Sequence, residues 1–150
     1  MTQRSDVCIR LMTQEDLQTA AQLERECFSD PWSVDMLREE LENGLGLMYV
    51  AEHGGKVCGY AGMQVILDEG YITNIAVTGS MRRCGIGAKL MQKLMTQAME
   101  RNLAFITLEV RRSNLAAIGL YERFGFKCEG VRPGYYQNPK EDALLMTLRF

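Results

Sequence analysis

The segment Arg82-Arg83-Cys84-Gly85-Ile86-Gly87-Ala88 decides the fold of this 150-residue chain, because it joins two different hydrophobic periods. Before it, residues 71–77 are rich in β-formers and read as a strand. After it, Ile86, Leu90, Leu94 and Ala98 recur at four-residue spacing, which predicts an amphipathic helix over residues 85–101. A strand, a glycine turn and a helix start together make an anion-binding geometry. Glycines let a ligand approach the backbone, the first helical N–H groups lack internal partners, and the positive end of the helix dipole favours phosphate. Arg82 and Arg83 add charge. A plain helix start with two solvated arginines fits these residues about equally well.

Working outward, residues 7–12 predict a strand, and Thr13 with Asp16 three residues on resembles a capping box opening a helix that runs to about Phe28. Ser33 can cap a second helix carrying Met36, Leu37 and Leu41, which Asn43-Gly44 ends. Residues 47–52, the Gly54-Gly55 turn and residues 57–67 read as a β-hairpin. Downstream of the long helix, residues 104–110 form a strand, Ser113 caps a short helix ended by Gly125, and residues 126–131 and 143–149 are final strands. The order β-α-α-β-β-β-α-β-α-β-β predicts an α/β (α+β) class: a mixed, mostly antiparallel seven-stranded sheet flanked by helices, with at least one parallel crossover through the long helix. No repeat or linker divides the chain, so residues 1–150 are expected to form a single domain.

Composition narrows the function. A net charge of -2 argues against nucleic-acid binding by bulk positive charge. Five cysteines, an odd number without close pairing, argue against a disulfide framework or a zinc ribbon, and a cytoplasmic location is expected. No apolar stretch approaches 18 residues and no signal-like region follows the start, so neither export nor a membrane partner is expected. The one histidine, His53, reads as a solvated turn residue, leaving no material for a histidine triad or a multi-histidine metal site.

Three side chains stand out as chemically interesting. Cys84 adjoins two arginines near a helix start, a setting that lowers a thiol pKa, but an incidental small loop residue explains it equally well. Strand alternation puts Phe105, Thr107 and Glu109 on one face and Ile106, Leu108 and Val110 on the other. Partial burial near the end of an interior strand makes Glu109 a plausible general base; a salt bridge to Arg111 or Arg112 is the structural alternative. Tyr121 falls in line with Ile118 and Phe124, and its spacing favours a core aromatic. As a dinucleotide loop the glycine segment is incomplete, since Leu90 stands where a third glycine belongs, although Glu109 falls near the distance of a ribose-binding acid.

Arg82-x-x-Gly85-x-Gly87 resembles the acetyl-CoA loop of the GNAT N-acetyltransferases. Around it, Asn74-Ile75-Ala76-Val77, Leu108-Glu109-Val110-Arg111, Ser113-Asn114, Leu120-Tyr121-Glu122 and Phe124-Gly125-Phe126 are similar to the RimI-like branch, the ribosomal-protein-alanine N-acetyltransferases. Pro31-Trp32-Ser33, Tyr135-Tyr136 and Glu141-Asp142-Ala143 extend the resemblance over nearly the whole chain. It implies a GNAT fold whose sheet splays at the acetyl-CoA site, after the strand ending at Val77. Ile75, Ala76 and Val77 would hold the pantetheine arm. Arg82, Arg83, Cys84, Gly85, Ile86, Gly87 and Ala88 would cradle the pyrophosphate, and Asn114 would touch the cofactor.

By the same resemblance Glu109 is the general base, Tyr121 the general acid, and Trp32, Tyr135 and Tyr136 line the acceptor groove. The expected activity is acetyl transfer from acetyl-CoA, without a metal, to the N-terminal amine of a protein, a small-subunit ribosomal protein beginning with alanine. Other protein N-termini, small amines, or a CoA- or nucleotide-binding sensor without turnover are the alternatives.

Overall fold

Period-2 alternation in the strands and 3.6-residue periodicity in the helices give the chain one sheet with two apolar faces and a helix pair for each. In the computed structural model, which describes residues 6–82 and 84–150, the strands are β1 (Cys8–Leu11), β2 (Gly46–His53), β3 (Lys56–Ile66), β4 (Glu69–Val77), β5 (Phe105–Arg111), β6 (Lys127–Tyr136) and β7 (Glu141–Arg149). The helices are α1 (Leu17–Cys27), α2 (Val34–Glu42), α3 (Ile86–Glu100) and α4 (Leu115–Arg123). The element order is the expected one. The sheet is seven-stranded in the order β1-β2-β3-β4-β5-β7-β6, antiparallel except at the β4–β5 pair, which the α3 crossover makes parallel.

Local chemistry explains the element ends. The Ser33 Oγ accepts from the Met36 N–H (3.1 Å) to start α2, and Gly54 and Gly55, both at positive φ, turn β2 into β3. Two boundaries differ from expectation. Thr13 and Asp16 open a 3-10 turn (Gln14–Asp16) ahead of α1, in which the Asp16 carboxylate accepts from the Thr13 N–H at 2.8 Å and also from Arg10. For α4 the cap is Asn114 rather than Ser113: the Asn114 Oδ1 accepts from the Ala117 N–H (3.2 Å), while the Ser113 N–H donates to Glu141 (2.7 Å).

On one face Leu90, Leu94, Ile106, Leu108 and Tyr121 share a buried cluster with Tyr49, Ala61 and Met63. On the other, Leu17, Leu37, Val50, Tyr60 and Ala76 close under α1 and α2. Only three residue pairs, Glu69↔Phe105, Gly70↔Ile106 and Tyr71↔Thr107, join β4 to β5. Beyond Tyr71 the two strands part. On its other side β4 carries a bulge, where Gly62↔Asn74 is followed by Met63↔Ile72 and Thr73 is left over. A bulge bends its strand and increases the local twist, which is a physical reason for β4 to leave β5 there. The splay therefore lies between the strand ending at Val77 and β5, and it begins inside that strand.

Candidate active site

Residues 72–77 of β4 are hydrogen-bonded to β3 on one side and, past Tyr71, to nothing of β5 on the other. Of Ile75, Ala76 and Val77, Ile75 lines this gap, where the edge of β4 is open to an extended ligand, whereas Ala76 pairs with Tyr60 of β3 and the Val77 carbonyl already accepts from the Cys27 Sγ (3.4 Å) and from Arg82. A cavity of about 540 Å³ occupies the gap, with Ile75, Glu109, Tyr121 and Asn114 among its walls.

At the end of β4, a 3-10 turn (Gly79–Met81) leads to the glycine loop. Gly85 takes φ +79°, a left-handed conformation that a side chain would strain, and is the N-cap of α3. The first bond into the helix runs from the Lys89 N–H to the Gly85 carbonyl (3.0 Å), so the N–H groups just before it have no intrahelical partner. Ile86 is buried and anchors the turn, and a Cβ at Gly87 would meet Leu120 of α4 at 3.4 Å. Ala88 is half-buried on α3, and Cys84 packs against the core. Arg82 does not project freely: its Nε donates to the Val77 carbonyl (3.2 Å) and its Nη2 reaches the Cys27 Sγ (3.3 Å), bracing the loop against α1. Arg83 lies outside the described residues.

Glu109 and Tyr121 come from opposite sides of the sheet. Ile106, Leu108 and Val110 belong to the same cluster as Tyr121, so alternation turns Glu109 to the other face. Both residues nevertheless wall the same cavity, because the missing β4–β5 contacts open a passage through the sheet. The Glu109 Oε2 accepts from the Arg132 Nε at 2.9 Å. The ion pair anticipated with Arg111 or Arg112 is thus made with Arg132 of β6, while Arg111 pairs with Glu141. Side-chain exposures of 52% for Arg132 and 27% for Glu109 make this a solvent-screened pair worth roughly 0–1 kcal/mol.

The spacing of Tyr121 suggested a core aromatic, and its ring is one, tilted against Phe126 at 5.8 Å. Its hydroxyl hydrogen-bonds to no described residue, and burial holds its pKa well above the usual phenol value, so it keeps its proton across the physiological range. Tyr135 and Tyr136 meet edge to face at 5.0 Å, Tyr135 half-exposed and Tyr136 pushed up to about 12 chiefly by burial. Trp32 completes the opposite wall, its backbone N–H donating to the Glu24 Oε1 (2.8 Å). Asn114, whose Oδ1 caps α4, also lines the cavity.

Glu24 was missed by sequence reasoning. It is fully buried in α1 and accepts from the Tyr60 hydroxyl, the Asn74 Nδ2 (2.7 Å) and the Trp32 N–H, tying the loop between α1 and α2 to β3 and β4. Burial raises its pKa, against these hydrogen bonds. A signal existed: Leu17, Ala20, Ala21 and Glu24 lie at helical spacing, so this carboxylate occupies the apolar stripe of α1. Arg132 had no such signal, since its partner is 23 residues away. Among the described residues no group of three or more His, Cys, Asp or Glu could hold a metal, and no helix is long and apolar enough to cross a membrane. His53 ends β2 and is half-exposed.

A glycine loop that caps a helix beside a parted parallel strand pair offers unpaired N–H groups to an anion and an open edge to an extended arm. The model of the acetyltransferase (GNAT) family matches residues 17–126, and the chain belongs to that family. A ribosomal protein bS18-alanine N-acetyltransferase of Escherichia coli is 36% identical over 135 residues, 89% of this chain and 90% of its own. The protein of that name from Salmonella typhimurium is 36% identical over 143 residues, 93% of this chain and 95% of its own. The crystal structure of the ribosomal-protein-S18-alanine N-acetyltransferase from Escherichia coli superposes with a TM-score of 0.89 at 34% identity, covering 95% of this chain and 93% of the other. The chain is therefore an N-acetyltransferase.

Proposed function

We propose that this enzyme transfers the acetyl group of acetyl-CoA to the N-terminal amine of a protein, a ribosomal protein beginning with alanine. The observation that carries the reading is the passage between β4 and β5, reached by Glu109 from one face of the sheet and by Tyr121 from the other. Such a passage lets the thioester and the amine approach from opposite sides and meet inside the sheet. The acceptor follows the names borne by the Escherichia coli and Salmonella relatives, which span nearly the same length.

In this reading the pantetheine arm runs along the open edge at Ile75, Ala76 and Val77. The pyrophosphate rests on the N–H groups from Arg83 to Ala88, with Arg82 bracing the loop and Asn114 alongside. Glu109 takes a proton from the acceptor ammonium, directly or through a water, because an α-amino group of pKa about 7.7–8.0 is largely protonated at neutral pH. The neutral nitrogen attacks the thioester carbon, the C–N bond forms, and a backbone N–H of the open edge stabilises the oxyanion. The C–S bond then breaks, the Tyr121 hydroxyl gives its proton to the departing thiolate, and the attacking nitrogen loses its surplus proton as the amide forms, a proton that restores the Tyr121 hydroxyl, while Glu109 releases the first proton to solvent. Trp32, Tyr135 and Tyr136 hold the first residues of the acceptor.

The test is a thiol-release assay with acetyl-CoA across a panel of N-terminal peptides and small amines. The alanine-first peptide of the small-subunit ribosomal protein should release CoA fastest. Release with small amines alone would replace the acceptor, and binding of acetyl-CoA without release would reduce the chain to a sensor.

A further inference from the structure

Arg111 ends β5 two residues beyond Glu109, on the same face of the strand. Its guanidinium joins segments far apart in sequence. The Nη1 donates to the Pro139 carbonyl (2.9 Å) and to the Glu141 Oε1 (3.2 Å); the Nη2 donates to the Gln137 carbonyl (2.9 Å) and to the Ser29 Oγ (3.2 Å). The guanidinium carbon also lies 4.5 Å from the centre of the Tyr136 ring. Ser29 belongs to the α1–α2 connection, whereas Gln137 and Pro139 belong to the β6–β7 turn and Glu141 is the first residue of β7. A second tie joins the same two segments, from the Asn138 Nδ2 to the Asp30 Oδ1 (3.2 Å). Glu141 is itself held from outside by the Ser113 N–H (2.7 Å).

The first segment carries Phe28 and Trp32, and the second follows directly on Tyr135 and Tyr136 at the end of β6; these four are aromatic walls of the cavity. We propose that Arg111 is a positioning residue for the acceptor: it sets the spacing of the two segments, and thereby the shape of the cavity's acceptor end, without touching the reacting atoms. The proposal rests on the acceptor reading of that end.

Magnitude separates this role from simple gluing. The Arg111–Glu141 pair, with side-chain exposures of 22% and 19%, is one ion pair near the surface and by itself contributes little to global stability. The geometry is what only arginine supplies. A planar fork of five N–H donors spans two carbonyls and a carboxylate on one side and a hydroxyl on the other, and a lysine ammonium offers a single point of donation.

The experiment uses the full chain with Arg111→Lys and, separately, Ser29→Ala, each compared with wild type. Peptide KM, CoA affinity by calorimetry, and amide hydrogen exchange at residues 28–32 and 137–140 are measured. Arg111→Lys should raise the peptide KM about tenfold, the loss of one charge-assisted contact's worth of positioning, leave CoA affinity unchanged, and speed exchange in both segments. Ser29→Ala should shift peptide KM and exchange in the same direction by less. An unchanged peptide KM, or faster exchange in residues 137–140 alone, overturns the proposal. If Arg111→Lys does not fold, Ser29→Ala decides by the same two readings. A wild type that releases CoA with no peptide defeats the acceptor reading instead, and the exchange data still decide whether Arg111 joins the two segments.

Discussion

At Glu109 two roles make opposite demands. As the partner of Arg132 it contributes at most about 1 kcal/mol, because both side chains are partly in water. Glu109→Gln should therefore melt near the wild-type temperature and bind CoA normally, yet turn over about 10²–10⁴-fold more slowly at neutral pH. Raising the pH should recover part of that loss, since more of an amine with pKa near 8 is then neutral without a base. A lowered melting temperature with wild-type turnover per folded molecule would make Glu109 a structural residue. Tyr121 separates in a similar way, since its ring packs in the core while the residue also lines the cavity. Tyr121→Phe keeps the ring packing and should lower kcat roughly 10²-fold with CoA affinity intact. Single-turnover kinetics showing an undiminished chemical step would return the residue to packing alone.

Among the elements, α3 and α4 meet at the glycine loop, and their glycines are not equivalent. Gly85 needs its left-handed backbone and Gly87 lies against Leu120, but Gly119, in the middle of α4, has nothing within 4 Å of where a Cβ would stand. A helix-interior glycine in open space costs about 0.5–1 kcal/mol relative to alanine through unfolded-state entropy. Gly119→Ala should thus raise the melting temperature by about 1–4 °C in a chain of this size, with the KM for acetyl-CoA unchanged. A fall in melting temperature would place an unrecognised constraint on α4. The helix caps had mixed legibility. Ser33 was readable because a cap followed by an apolar run is a local signal. Ser113 and Asn114 are both capping residues side by side; the Asn114 Oδ1 makes the cap, and the Ser113 N–H is tied instead to Glu141, distant in sequence.

Seen whole, the molecule is a sheet held together at its middle by three β4–β5 residue pairs, with apolar clusters under a helix pair on each face. A ligand that pairs with the open edge of β4 completes the sheet, so binding and folding are linked. CoA at one hundred times its Kd should stabilise the fold by about 2.7 kcal/mol, which is roughly 5–10 °C in melting temperature. Amides of residues 72–77 should gain protection from hydrogen exchange at the same time. A melting shift without protection in β4 would put the ligand elsewhere.

Element order, sheet composition and the glycine loop were determined by sequence alone, because hydrophobic period, capping and turn chemistry act over a few residues. The alternation of β5 likewise assigned Glu109 and Leu108 to opposite faces before any contact was known. Tertiary structure alone decided three things. Arg132 rather than Arg111 or Arg112 faces Glu109, since β6 returns beside β7 and brings a distant strand within reach. The splay begins at Ile72, where a bulge against β3 turns β4 away from β5. Glu24 is buried because Tyr60, Asn74 and the Trp32 backbone converge on it from β3, β4 and the loop after α1. Each of these depends on groups separated by many residues, whose meeting is set by strand order and packing rather than by any local pattern.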